Sequence, residues 1–211
     1  MIEILFEDSD IIVCIKPAGY LSESSGDGER SLPHVLAAQQ GIEPLFAVHR
    51  LDREVSGVMV YAKNKAAAAK LSAQVADRSF EKEYLAVVEG VPVEDEATLT
   101  DLLFKDSRKN KSFVVDKKRA GVKEASLSYK TLTKGEGRSL VRIKLHTGRT
   151  HQIRVQFASR RMPVLGDGKY GSSVRSGEIA LASCSIKFKH PRTNKTVEFT
   201  YTPTGDMWDA I

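Results

Sequence analysis

The segment Val48-His49-Arg50-Leu51-Asp52-Arg53-Glu54-Val55-Ser56-Gly57 concentrates the reactive groups of this chain. It sets a histidine, two arginines and two carboxylates between apolar runs, residues 45–48 and 58–62, that read as strands. Charged residues on a loop between core strands are held by a rigid scaffold, and function concentrates on such loops. Asp52 is flanked by Arg50 and Arg53. Nearby cations favour the ionised form of a carboxylate, and an ionised Asp can serve as nucleophile or base. On local chemistry alone, a salt-bridged structural turn explains the segment equally well.

The rest of the composition narrows the setting. A chain of 211 residues, 41% of them hydrophobic, can bury most of its apolar surface as one domain without disulfides. Cys14 lies inside the apolar run Ile11-Ile12-Val13-Cys14-Ile15 and is expected to be a buried thiol; with Cys184 it makes neither a disulfide framework nor a zinc site. That usage fits a reducing compartment. No N-terminal basic region precedes an apolar stretch, and no run approaches the roughly 20 apolar residues that span a bilayer. A cytoplasmic protein without a membrane partner is expected. The net charge is +5, but it is unevenly spread. Residues 138–195 hold thirteen Lys/Arg against Asp167 and Glu178, a local net of +11, which leaves −6 for the remainder. Basic charge gathered in one half is the footprint of a polyanion partner, with a merely solvated surface as the alternative.

The elements that must position these groups read as an α+β pattern on a mixed, mainly antiparallel sheet. Strands are expected at residues 2–6, 11–16, 45–48, 58–62, 83–91, 125–132, 140–145, 179–188 and 196–202. A loop covers residues 17–30, with Gly26-Asp27-Gly28 inside it. Helices are expected from a Ser31 cap to Gln40, over Lys65–Asp77 after an Asn64 cap, and over residues 150–161. Residues 101–123 carry Lys105, Arg108, Lys109, Lys111, Lys117, Lys118, Arg119 and Lys123 with few apolar anchors, and read as an exposed hairpin or insertion. Its Lys117, Lys118 and Arg119 are candidate nucleic-acid contacts, with a solvated loop as the alternative. His146 and His151 lack metal-ligand neighbours at suitable spacing, and structural roles are expected for them. Gly166, Gly168 and Gly171 are not a phosphate loop, since no Gly-Lys-Ser/Thr follows.

The pattern His-Arg-Leu-Asp-x-x-x-Ser-Gly resembles the signature of the RluA family of pseudouridine synthases, with Val55 where threonine is usual. Four further segments match that family in order: Lys16-Pro17-Ala18-Gly19; Lys82-Glu83-Tyr84-Leu85-Ala86; Thr147-Gly148-Arg149-Thr150-His151-Gln152-Ile153-Arg154; and Pro163-Val164-Leu165-Gly166-Asp167-x-x-Tyr170-Gly171, followed by His190-Pro191. The match covers about residues 2–200. Gln156 replaces a usual histidine, and Ala182-Ser183 stands where His-Ala is common. These departures leave the RNA target open.

The resemblance implies a pseudouridine synthase fold over residues 1–211, a single catalytic domain, with a cleft holding Asp52, Tyr84 and Arg154 between basic flanks. The family often carries an N-terminal S4 RNA-binding domain; because the matching pattern starts almost at residue 2, a stand-alone catalytic domain without one is expected. Pseudouridylation breaks the uridine N1–C1′ bond, turns the base and joins C5 to C1′. No redox change or group donor is involved, so no cofactor and no metal are expected. By family analogy Asp52 is the catalytic carboxylate, whether by attack at C1′, addition at C6 or removal of the C2′ proton. Arg154 is implied as its basic partner. Tyr84 offers a ring for the uracil and a hydroxyl for proton transfer. Arg50 is implied to fill the space left by a flipped-out uridine, His49 to orient the loop, Arg149 to contact phosphate or that loop, and Ile153 to pack on the base. The expected partner is structured RNA, ribosomal or transfer, rather than DNA, bound by a monomer. Two rivals remain: a non-catalytic RNA-binding or remodelling module on the same fold, and a hydrolase using Asp52 with His49 as acid and base.

Overall fold

The computed structural model describes residues 1–24 and 31–209, so the Gly26-Asp27-Gly28 part of the expected loop lies outside the described residues. In chain order its first elements are β1 (Ile4–Glu7), β2 (Ile11–Lys16), α1 (Leu32–Gln40), β3 (Phe46–Ala47), β4 (Ser56–Ala62) and α2 (Lys65–Asp77). Then come β5 (Glu81–Glu89), β6 (Glu96–Asp106), β7 (Lys111–Val115), β8 (Val122–Gly135), β9 (Arg138–Leu145), α3 (Gln152–Ala158), a 3-10 turn (Gly168–Tyr170), β10 (Leu181–Lys189) and β11 (Thr196–Thr200). The chain forms two compact units. The first is Met1–Lys82 with Ala182–Pro203; the second is Glu83–Leu181 with the residues from Thr204 onward.

In the first unit the strands run in the order β1-β2-β4-β10, with β3 beside β4 and β11 beside β10. All pairs are antiparallel except β4 with β10. All six residues of β2 are buried, which is why its first five, Ile11 to Ile15, are a continuous apolar run rather than an alternation. The parallel contact sets Gly57 opposite Ser183. A Cβ on Gly57 would lie 2.2 Å from the Ser183 carbonyl oxygen, and its φ of +121° is one that side chains rarely adopt. The glycine that closes the Asp52 motif is therefore required by the approach of β10. Helix α2 starts as expected: the Asn64 side-chain oxygen accepts the Ala67 N–H at 2.8 Å. Its Ala67 and Leu71 face a core of Ile11, Val13, Val60, Phe80 and Phe188.

The second unit is an antiparallel meander in the order β5-β9-β8-β6-β7. On β8, Ala125, Leu127 and Tyr129 are buried and alternate with the more exposed Ser126, Ser128 and Lys130. Two expectations need correcting. The helix expected over residues 150–161 is only Gln152–Ala158, because His151 before it adopts a left-handed backbone, φ 53°. Of the two readings of residues 101–123, the hairpin is the one observed, but it is better anchored than expected. These residues comprise the β6–β7 hairpin and the start of β8; Leu103 and Val114 pack with Ala125, Val155 and Tyr170, and Ser112 is only 2% exposed. Their solvated parts are the turn at 107–110 and much of the loop at 116–121.

Candidate active site

In the first unit, the peptide groups on both sides of Asp52 are tied down. Leu51 exchanges two hydrogen bonds with Ser22: its N–H donates to the Ser22 hydroxyl at 3.0 Å, and that hydroxyl donates to the Leu51 carbonyl at 2.8 Å. Tyr61 in turn donates its hydroxyl to the Ser22 carbonyl. On the other side, the Arg53 carbonyl accepts from the Gly19 N–H at 2.7 Å and from the Lys16 ammonium at 3.1 Å. The Val55 N–H donates to the Asp52 carbonyl and closes the turn. Asp52 itself is half-buried.

The two arginines expected to flank Asp52 direct their heads elsewhere. Arg53 donates to the Gly19 carbonyl, and Arg50, largely exposed, lies 3.5 Å from Glu23. Lys16 is the missed residue. It is fully buried, and its ammonium donates to three carbonyls, those of Pro17, Tyr20 and Arg53. Burial pushes its pKa down to about 8, while the Glu54 and Asp52 carboxylates pull the other way, so Lys16 is a cation that feels Asp52.

This predicts a pH effect with two opposite signs. An ammonium has three N–H donors for three carbonyls, whereas a neutral amine has two. Activity should therefore fall as pH rises through about 8, when the Asp52 turn loses one tether and a nearby charge. Between about 8 and the ordinary 10.5, however, the unfolded chain binds more protons at Lys16 than the folded one, so this group's contribution to stability rises with pH. Single-turnover rates and melting midpoints across pH 7–10 check this: a falling rate without a falling midpoint attributable to Lys16 is expected, and a rate flat across pH 8 would contradict it.

His49 sits beneath the loop. Its Nε2 accepts the Val60 N–H at 3.2 Å and its ring lies 5.2 Å from that of Phe80. Burial, with Lys82 adding to it, drives its pKa down to about 3, so the ring is neutral at any working pH. A neutral imidazole with its acceptor nitrogen committed to the backbone is a poor acid or base.

In the second unit, Arg154 is 1% exposed and forms a bidentate pair with Asp167, Nε to Oδ2 at 2.6 Å and an Nη2 contact to Oδ1 at 2.9 Å. This pair takes two of the five guanidinium donors. Ile153 is buried beside it on α3. Gln152 clamps the preceding loop, accepting from the Thr147 hydroxyl at 2.7 Å and the Arg149 N–H at 3.0 Å. The Arg149 guanidinium donates to the Glu124 carbonyl. Tyr84 is buried on β5, opposite Ile143 of β9. His146 meets the Ser128 hydroxyl and His151 that of Tyr170. Lys117, Lys118 and Arg119 are exposed in the 116–121 loop, with the Arg119 guanidinium 5.0 Å from the Phe104 ring centre. Among the described residues no group of three or more His, Cys, Asp or Glu is placed to hold a metal ion, and no helix is long and apolar enough to cross a membrane.

Comparison with known proteins identifies relatives of this chain. A family model described as RNA pseudouridylate synthase matches residues 10–159. The chain is 40% identical over 219 residues to an uncharacterised RNA pseudouridine synthase of Aquifex aeolicus, covering 94% of this chain and 68% of that one. It is 32% identical over 225 residues to ribosomal large subunit pseudouridine synthase D of Zymomonas mobilis, covering 98% of this chain and 70% of the relative. Among solved structures, human RNA pseudouridylate synthase domain containing 1 superposes with a TM-score of 0.79 at 24% identity, over 96% of this chain and 84% of that one, a likeness of fold.

Proposed function

This chain belongs to the RNA pseudouridine synthases of the RluA type, and from that premise we propose that it converts a specific uridine of structured RNA to pseudouridine with Asp52 as the catalytic carboxylate. The observation that carries this reading is the clamping of the Asp52 turn: the peptide groups of both neighbours are held by buried partners, Ser22 and Lys16. A reactive carboxylate gains from such preorganisation, because its position need not be found again at each turnover. Tyr84 and Arg154 act on the same base, the tyrosine through its ring and hydroxyl and the arginine as a fixed buried cation. Ile153 packs on the uracil, Arg149 contacts the RNA backbone, and His49 holds the loop from below.

Arg50 enters the stack that the flipped uridine leaves. Its exposed contact with Glu23 is of a kind worth about 0–1 kcal/mol, so little holds the side chain in place. Ribosomal RNA is the first candidate substrate, since a relative spanning 98% of this chain is named for the large ribosomal subunit; transfer RNA is the second. The chemistry needs no cofactor, and the chain works as a cytoplasmic monomer. The hydrolase alternative is less favoured because His49 is buried with its Nε2 already accepting the Val60 N–H, and a non-catalytic RNA module would have no use for a clamped carboxylate.

The reaction is read directly from RNA carrying tritium at uridine C5, because joining C5 to C1′ releases that hydrogen to water. Tritium release from ribosomal or transfer RNA is expected; RNA binding without release would favour the non-catalytic module.

The exposed loop at 116–121 supplies phosphate contacts. Each neutralised phosphate releases counterions, so the slope of log affinity against log salt loses about 0.7–0.9 per contact removed. Replacing Lys117, Lys118 and Arg119 by alanine is expected to weaken binding and flatten the slope by up to about two units, with the single-turnover rate at saturating RNA nearly unchanged. An unchanged slope over a salt series would reduce this segment to a solvated loop.

A further inference from the structure

Arg154 has a second neighbour that neither the family match nor the proposed chemistry assigns. Tyr170 lies three residues after Asp167, at the other end of the same 3-10 turn, and its N–H donates to the Asp167 carbonyl at 3.0 Å. Side chains three apart on such a turn eclipse one another. The turn thereby presents a carboxylate and an aromatic ring to one guanidinium: the Asp167 oxygens meet its edge at 2.6 and 2.9 Å, and the Tyr170 ring centre lies 5.3 Å from Cζ. The two restraints differ. Taken by itself, a bidentate pair fixes the direction of a guanidinium within its plane and does not oppose a tilt about the line of the two hydrogen bonds. An aromatic ring beside the cation opposes that tilt and attracts the positive charge.

The ring is itself pinned at its far end. The Tyr170 hydroxyl accepts the Ser112 N–H of β7 at 2.8 Å and hydrogen-bonds His151 Nδ1 at 2.9 Å. The His151 ring stands edge-on to it, centroids 5.7 Å apart at 88°. The Ser112 hydroxyl donates to the Thr150 carbonyl at 2.7 Å, which ties the same strand to the residue before His151. Ser112, His151, Arg154, Asp167 and Tyr170 are all no more than 9% exposed. We propose that Tyr170 is a positioning residue for Arg154: its ring holds the guanidinium against tilting, and its hydroxyl locks the ring to β7 and to the start of α3. The inference rests on the reading that gives Arg154 a role in the reaction.

Tyr170→Phe keeps the ring and removes the lock. Together with Arg154→Ala and the unmodified protein, it should be assayed for RNA affinity and for single-turnover rate at saturating RNA, below the melting midpoint of each. Displacement of a reacting group by about 1 Å can cost about 100-fold in rate. Tyr170→Phe is therefore expected to lower the saturating rate about tenfold or more with affinity unchanged, a split that a purely structural tyrosine would not produce in the folded protein. A normal rate in Tyr170→Phe beside a collapsed rate in Arg154→Ala would overturn the inference and leave the role of Arg154 standing. Weakened affinity with a normal saturating rate would likewise overturn it, assigning the lock to RNA binding through β7. Normal rates in both variants would remove Arg154 from the reaction and the inference with it.

Discussion

Asp52→Asn is expected to abolish pseudouridine formation while leaving the fold and RNA affinity nearly intact. The amide matches the carboxylate in size, and the hydrogen bonds of this turn named above are made by peptide groups rather than by the carboxylate. They run through the Leu51 and Arg53 peptide groups to Ser22, Gly19 and Lys16, and through the Asp52 carbonyl to the Val55 N–H. What disappears is the nucleophile or base, and each way of using Asp52 requires the ionised group. Removing such a residue costs on the order of 10⁴-fold or more in rate. Tritium release in single turnover measures the loss, with affinity and thermal midpoint as controls. A variant rate within about tenfold of normal would take Asp52 out of the chemistry. A collapsed rate accompanied by a collapsed midpoint would instead assign the carboxylate to the turn's stability.

The largest expected stability effect lies at Asp167. Its pairing with Arg154 is among the most buried charge pairs described, side chains 1% and 2% exposed. Burying two ions is costly in itself, and such a pair is weak evidence of net stabilisation. Breaking it from one side is another matter, because the remaining buried charge loses the carboxylate that compensates it. Asp167→Ala is expected to destabilise the protein by about 3–5 kcal/mol, a shift in midpoint on the order of 10 °C for a chain of this size. Asp167→Asn retains hydrogen-bonding capacity and should lose less. Denaturant titration of both variants gives the comparison. Equal midpoints for Asp167→Ala and the unmodified protein would mean that Arg154 finds water or another anion when Asp167 is gone.

How far the sequence discloses this molecule depends on where each residue's partners come from. Strand β2 was legible because burial on both faces leaves an unbroken apolar run, and α2 because its Asn64 cap and alanine-rich body are local signals. Asp52 stood out because charges interrupt an apolar pattern. Helix α3 was misjudged in length because Gln152 through Phe157 are all buried, so no polar face marks its period. The first half of β6 escaped notice because it alternates with little hydrophobic contrast; among residues 96–100 only Leu99 is buried, and the strand is fixed by pairing with β8, some thirty residues on. Lys16 looked like any lysine at a strand end. What makes it a buried tether is a set of carbonyls, one of them from Arg53, 37 residues away. Asp167 and Tyr170 were visible only as part of a family pattern. Their hold on Arg154 comes from a 3-10 turn that brings both onto one guanidinium, and no residue-type rule announces that.

The central claim is that this chain makes pseudouridine in RNA and does so through Asp52. The most direct measurement is pseudouridine mapping of total cellular RNA from cells lacking the gene, complemented with either the unmodified sequence or Asp52→Asn. The account predicts that at least one site, in ribosomal RNA first and in transfer RNA otherwise, disappears on deletion, returns with the unmodified sequence and stays absent with Asp52→Asn. A map unchanged by deletion, or a lost site restored by Asp52→Asn, would contradict it.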